Sequence, residues 1–483
     1  MVFLSEEPDH TLHRFNSLFD LWITGVGAVI AGDLFGWTAV LTIGIGGAAI
    51  VVIIMAIFYF CMAFSVAELA ASPGTAEGGT AAQLVAPYLG QTWSEAATIS
   101  ETLKLISGTA ACVTSVSAYL CNSLDLPVEC QVVGWGLITI GCGLYAAKSG
   151  GLSHSMMIAT TLSSLLILAL LYTSAIAVGH TGPDKFDNIK FSVNNGRIRF
   201  AEAVVFSAWF FIGVEGLPLV APVTREPTRF IPRAIVLVMM TTTFCALATV
   251  ISASSVASTT DLIRSGSHPL YVCYREAWRN NIAAGLISFA TVLGLLASLN
   301  AFLFYSSQLL AQLATDAGIT DNFPVATATV LVLASFIVLL PFLGSSPTLI
   351  VNTLIWETIF AAFITYLLQF FAFLQMRKAH RYLESFHWRS PFGIVGALLG
   401  LLLNLCVLAA LFVIALDVPD YRPGAVCVAV IFFLALIATL LPRTMFWTKI
   451  IVPLYFSGIA TGDNKSSETT SLFIPSSSSS PSV

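Results

Sequence analysis

Apolar runs of about 20 residues, each long enough to cross the hydrocarbon core of a bilayer, recur from Leu18 almost to Pro453. That recurrence constrains the fold more than any single motif. Hydrophobic residues make up 57% of the 483-residue chain and charged residues only 10%, against roughly a quarter charged in soluble globular proteins. The sequence therefore predicts an all-α integral membrane protein whose membrane part is one polytopic unit. About twelve transmembrane helices are expected, near residues 18–43, 48–71, 92–119, 129–147, 155–179, 201–222, 231–256, 282–308, 324–343, 348–375, 392–416 and 424–446.

The polar lead-in before Leu18 is unlike a cleaved signal peptide. An even number of helices puts both termini on one side. With the termini taken as cytoplasmic, twelve Lys and Arg fall on the inner side and eight on the outer, while Lys104 lies inside a span. The excess has the sign that membrane topology favours. No retention, peroxisomal or lipidation signal is seen, and a plasma-membrane location is expected ahead of an internal membrane.

Cys61, Cys112, Cys142, Cys245, Cys406 and Cys427 fall within expected helices, where a cysteine acts as a small buried hydrophobe; they imply no metal site. Cys121 and Cys130 flank the loop between the third and fourth helices and can pair only if that loop faces an oxidising compartment. The Ser-rich stretch 454–483 has too few bulky residues to bury a core and is expected to be a disordered cytoplasmic tail.

Two spans are interrupted in a way that packing glycines alone do not explain. "GVGAVIAGDLFGW", residues 25–37, carries Asp33 beside Gly32 in mid-run. A lone carboxylate there costs a few kcal/mol unless it faces a cavity, pairs or caps. In the sixth span "FFIGVEGLPLVAP", residues 210–222, crowds Gly213, Glu215, Gly216 and Pro218 together, so a backbone donor is missing next to residues that readily unwind. The first and sixth helices stand five apart, the spacing expected of inverted repeats at about 18–180 and 200–375, with further helices at about 392–446. Unwound backbone in lipid is tolerated only where protein, water or a ligand satisfies it. The pattern points to a transporter domain over 18–453 following a short N-terminal segment, 1–17.

Residues 25–37 resemble the first-helix signature of the amino acid-polyamine-organocation superfamily. "WFFIGVEG" (209–216) resembles its sixth-helix signature, "TREPTRFIPRAI" (224–235) the stretch that follows, and "FSVAELAASPGTAEGG" (64–79) the end of its second helix. Within that superfamily "GDLFGW" and "AWFFIGVEGLPL" are most similar to the ethanolamine permease group. Pro222 and Val223 depart from it, standing where many relatives carry two acids. The resemblance implies a LeuT-like core of two inverted five-helix repeats with helices 1 and 6 broken, plus two C-terminal helices. It also implies secondary active transport by alternating access.

In relatives that carry amino acids, the resemblance implies that N–H groups at the first break hold the substrate carboxylate, and that carbonyls at the sixth receive its ammonium. Here the first break reads Ala31-Gly32-Asp33. A fixed carboxylate repels a second one by roughly 4 kcal/mol at ~4 Å and an effective dielectric of 20. One expectation is that Asp33 stands in for the substrate's carboxylate and the cargo is a small amine such as ethanolamine; the other is that Asp33 caps the second half-helix. Glu215 is either a proton carrier or an acid that holds its break together, and Trp209 is expected to close over the substrate's cation beside Ile212 and Gly213. Glu101 and Lys104, three apart on one helical face, form a local ion pair or line the pathway. Glu202 and Glu357 are weaker candidates.

The coupling ion, a proton or Na+, has no clear device. Ser298 and Asn300 on the eighth helix are the hydroxyl and amide on offer, and the fifth helix has no lysine. An amino acid permease, for neutral or cationic substrates, remains the alternative, with a transport-inactive sensor of the same fold behind it. No phosphate loop, paired metal-ligand histidines or nucleophile with a base is present, so no enzyme, cofactor or nucleic-acid partner is expected. The partners expected are the lipid bilayer and the small-molecule substrate; the sequence does not fix an oligomeric state.

Overall fold

The computed structural model describes residues 15, 17–72, 79–124, 126–127, 130–149, 154–179, 196–265, 268–316, 327–334, 347–379, 388–426 and 428–430. These lie in one unit, Met1–Leu440; the second unit, Leu441–Val483, falls outside them, as do most of the expected twelfth helix and the Ser-rich tail. The helices, in chain order, are α1 (Leu18–Val29), α2 (Ala31–Leu34), α3 (Gly44–Ala70), α4 (Ala81–Leu89), α5 (Gln91–Ser123), α6 (Cys130–Ser149), α7 (His154–Gly179), α8 (Gly196–Ser207), α9 (Pro227–Val256), α10 (Thr259–Arg264), α11 (Pro269–Trp278), α12 (Asn281–Asp316), α13 (327–334), α14 (Pro347–Ala379) and α15 (Gly393–Asp417).

Among the described residues eight helices are long and apolar enough to cross a membrane. The broken first span, α1 with α2, and the shorter apolar stretch of α6 add to these. Several expected boundaries shift. The first span stops at Leu34, and residues 38–43 form a 3-10 turn leading into α3, which starts at Gly44 with φ +82°. The third, eighth and tenth helices run longer than expected, and α4, α10 and α11 were not anticipated.

Local chemistry explains these starts. Ser17 and Asp20 form a reciprocal capping box that opens α1, and Thr80 with Gln83 does the same for α4, which ends at Gly90 (φ +83°). Residues that a water-soluble protein would hide line the outside: Ile50, Ile54 and Ile57 on α3, Leu286 and Phe289 on α12, Leu398 and Leu402 on α15. Lipid is the solvent for this belt.

The interior is the reverse. α5 is buried along almost all of its apolar window although it carries many hydroxyls. Thr109 and Thr114 return theirs to carbonyls four residues back, so the polar atoms are satisfied within the helix. Helices five spans apart pack together, the second on the seventh (α3 on α9) and the third on the eighth (α5 on α12), while the first and sixth meet at their breaks. That pairing surrounds the breaks with scaffold.

One end of this bundle is tied by charge. Glu68, at the end of α3, accepts from Arg377 Nη2 of α14 at 2.6 Å and from the Ser390 N–H ahead of α15 at 2.7 Å. Glu68 is buried and Arg377 partly open. Breaking a buried pair strands the remaining charge, at about 3 kcal/mol or more. Glu68→Ala is expected to lower the thermal unfolding midpoint of the detergent-solubilised protein by several degrees; an unchanged midpoint would mean the clasp contributes nothing.

Candidate functional site at the two helix breaks

At the first break the chain stays close to helical: Ile30, between α1 and α2, has φ −59° and ψ −21°. At least two rungs of the regular ladder are lost, those of the Ala31 and Asp33 N–H groups. The Ala31 N–H, which in a regular helix donates to the carbonyl of Gly27, donates instead to Ser298 Oγ of α12 at 3.0 Å, and that hydroxyl donates to the Gly27 carbonyl at 2.6 Å. A side chain from the eighth span is thus inserted into the hydrogen-bond ladder, a recognised cause of helix kinks. Tyr119 of α5 donates to the Leu34 carbonyl at 2.7 Å, and Thr161 of α7 to the Ile23 carbonyl at 3.3 Å. The Asp33 N–H donates to the Ile30 carbonyl. Of the three break residues expected to hold a substrate carboxylate, Ala31-Gly32-Asp33, the N–H groups of Ala31 and Asp33 are already engaged.

The sixth span breaks more deeply. After α8 come a 3-10 turn at Ala208–Phe210 and then Gly213 with φ +118°, a conformation open to glycine and closed to nearly every other residue. Val214–Val223 continues as 3-10 helix containing Pro218 and Pro222. Runs of this kind beyond three or four residues are uncommon and mark strain or a hinge. The breaks touch: a Cβ at Gly32 would lie 2.5 Å from the Trp209 carbonyl oxygen and 2.7 Å from Phe210 Cα, and one at Gly213 would lie 3.1 Å from the Ala28 carbonyl. A Cβ at Gly79 would collide with the carbonyl of Pro218, so the segment ahead of α4 also closes on the sixth span.

Glu215 holds its break together. Its Oε2 accepts from the Gly213 N–H at 3.0 Å, and its Oε1 stands 3.2 Å from Lys104 Nζ of α5, both side chains 1% exposed. The Lys104 contact is an ion pair rather than a hydrogen bond. The expected local pair of Glu101 with Lys104 is therefore corrected: Lys104 reaches across to the sixth span, while Glu101 Oε2 accepts from the Ala81 N–H at the start of α4 at 2.8 Å. The longer reach follows from burial, since a sixth-span acid in the interior needs a cation more than an acid already bound by a helix N–H. The buried hydroxyls of Tyr59, Tyr305 and Tyr366 lie around Glu215.

Asp33 is fully buried. Its side chain does not cap α2. Oδ1 accepts from Thr249 Oγ1 of α9 at 2.8 Å, and Oδ2 has no hydrogen-bond partner. Thr249 in turn shares a hydrogen bond of 3.1 Å with the Tyr172 hydroxyl of α7, which also reaches the Cys245 carbonyl at 3.2 Å. Capping is lost because Ile30 keeps helical angles and leaves no extended N-cap from which a side chain can fold back.

Trp209 is buried against Phe35, the rings 5.5 Å apart and edge to face, with its indole N–H unpartnered. Ile212 and Gly213 follow it in the buried break. Asn300 is buried with a free amide nitrogen, and Glu202 is half-buried on α8. Glu357 of α14 is buried with a long contact, 3.5 Å, from Ser107 Oγ. Cys121 and Cys130 are free thiols. Thr249, Tyr172, Tyr119 and the three tyrosines around Glu215 were not anticipated, because a hydroxyl on a membrane helix carries no signal until its partner across the bundle is known.

A bundle of apolar helices with two touching breaks, held by polar side chains from other spans, defines a secondary transporter. The chain belongs to the amino acid permease family, whose sequence profile matches residues 17–440. Among solved structures it is similar to a manganese transporter of Eremococcus coleocola in complex with an aromatic bis-isothiourea substituted compound. The TM-score is 0.59 at 12% identity, over 93% of this chain and 99% of that one. Two mutants of the same transporter match at TM-scores of 0.56 and 0.58, also at 12% identity, over 90% of this chain and 95% of each. At that identity the likeness defines the fold, LeuT-like over most of the chain, and nothing finer. No curated protein matches.

The ion pair between Lys104 and Glu215 gives a direct test. Lys104→Met leaves Glu215 buried without its cation and is expected to destabilise the protein by about 3–5 kcal/mol, read as lost monodisperse yield. Pairing it with Glu215→Gln is expected to restore most of the yield. A loss in the double variant equal to the sum of the losses in Lys104→Met and Glu215→Gln alone would show that the pair is not coupled.

Proposed function

We propose that this permease carries a small amine lacking a carboxylate, ethanolamine being the simplest example, by alternating access of two halves at about 18–180 and 200–375. The observation that carries this reading is the unequal charge balance of the two breaks. Glu215 has its cation in Lys104, whereas Asp33 has only a neutral hydroxyl and a free oxygen. A buried carboxylate in that state attracts a cation. An ammonium group supplies one, and the engaged N–H groups of Ala31 and Asp33 offer little to a second carboxylate. Trp209, Ile212 and Gly213 border the same break, and the Trp209 ring adds roughly 0.5–2 kcal/mol to a cation that stacks on it.

An amino acid permease is the second reading, and the family itself favours it. Uptake into liposomes separates the two, because ethanolamine and serine differ by a carboxylate. Ethanolamine is expected to be carried at least about tenfold better than serine, a difference of ~1.4 kcal/mol. Asp33→Ser is expected to abolish that preference. Serine carried as well as ethanolamine by the unaltered protein would make it an amino acid permease.

A further inference from the structure

Asp33, Thr249, Tyr172 and the Cys245 carbonyl form a chain of hydrogen-bonding oxygens that runs from the first break to α9, across to α7 and back to α9. Its first member is a carboxyl group; the next two are hydroxyls, each able to donate once and to accept; the last can only accept. Such a chain has two complete arrangements. With Asp33 ionised, Tyr172 donates to Thr249 and Thr249 donates to Oδ1. With a proton on Oδ1, Asp33 donates to Thr249, Thr249 donates to Tyr172, and Tyr172 donates to the Cys245 carbonyl. Neither arrangement moves a heavy atom, and the 3.1 Å contact between Thr249 and Tyr172 has no fixed direction.

The charges around Asp33 decide when each arrangement holds. From α9 it faces Thr249 and the Cys245 thiol, and from α7 the Tyr172 phenol. The neighbouring segments add Ser298 of α12, spent on the first-span ladder, and Trp209. No Lys, Arg or His among the described residues pairs with Asp33, and the cation nearest in role, Lys104, is held by Glu215. An empty site therefore needs a proton on Asp33, and a site holding an ammonium ion does not.

Resting on the amine reading above, we propose that Asp33 exchanges one proton for one substrate ammonium ion, so that the protein is an electroneutral proton/amine antiporter. In the binding step the O–H bond of the Asp33 carboxyl breaks and the carboxylate keeps the electron pair. The proton leaves to water on the side where the site is open, and the substrate's ammonium takes its place against the carboxylate. On the opposite side the order reverses: a proton arrives, the carboxyl becomes neutral and the amine is released. No oxidant or co-reactant is needed, and one positive charge crosses in each direction.

The test uses the full-length protein in liposomes with labelled ethanolamine as probe, and reads initial rates after subtraction of the rate in protein-free vesicles, which removes passive trapping of the free base. Acidifying the interior is expected to raise the uptake rate, up to about tenfold per pH unit. A membrane potential imposed with valinomycin and a potassium gradient is expected to leave the rate unchanged. Asp33→Asn is expected to lose the response to internal pH. Thr249→Val, which keeps the acid but removes the hydroxyl that must reverse, is expected to keep uptake and displace its pH profile.

Uptake that follows voltage and ignores internal pH would overturn the exchange while leaving the amine reading intact. A pH response that survives in Asp33→Asn and disappears in Glu357→Gln would also overturn it, since Glu357 is the other buried acid held only by a hydroxyl. Absence of ethanolamine uptake by the unaltered protein, with serine carried instead, is the failure of the amine reading itself.

Discussion

A peptide group in hydrocarbon must find a partner inside the protein, and that requirement governs how this bundle can be broken at all. The rung that Ala31 leaves open in the first span is bridged by the Ser298 hydroxyl, and the end of α2 is closed by Tyr119. In the sixth span the Glu215 carboxylate takes the Gly213 N–H. Each break is thus held by side chains whose own anchorage lies elsewhere, on α12, α5 or the break itself. Moving either break means exchanging those bonds.

Charge follows the same logic one level up. Glu68 is matched by Arg377, Glu215 by Lys104, and Glu101 is drawn to the N–H of Ala81. Each of these acids already has a cation or an N–H donor beside it within the protein. Asp33 and Glu357 are left with hydroxyls alone. The difference is between an acid that builds the site and one whose charge is still to be met, and Asp33 stands where the two breaks touch.

Much of this was readable from the sequence because it depends on periodicity and local chemistry. Long apolar runs mark the spans, and glycine with proline marks the sixth-span break. The capping box of Thr80 and Gln83 likewise marks the start of α4 in the sequence. The site was legible in part. Asp33 and Glu215 stand out because polar groups in apolar runs are expensive, yet neither Thr249 beside Asp33 nor Lys104 beside Glu215 is legible as its partner. The spacing of Glu101 and Lys104 offers a local ion pair or a pathway lining, whereas Lys104 meets Glu215 more than a hundred residues on. Asp33 was weighed as a cap, but Thr249 holds it. Contacts between distant spans are set by helix packing, and a single sequence carries no register for that.

The central claim is that the buried Asp33 carboxyl loses its proton when an ammonium ion enters. Infrared difference spectroscopy on the purified protein, before and after addition of ethanolamine, observes that change directly. The account predicts loss of a protonated-carboxyl band with gain of a carboxylate band on binding, both absent in Asp33→Asn. Binding of ethanolamine with no change in the carboxyl region, or the same change in Asp33→Asn, would contradict it.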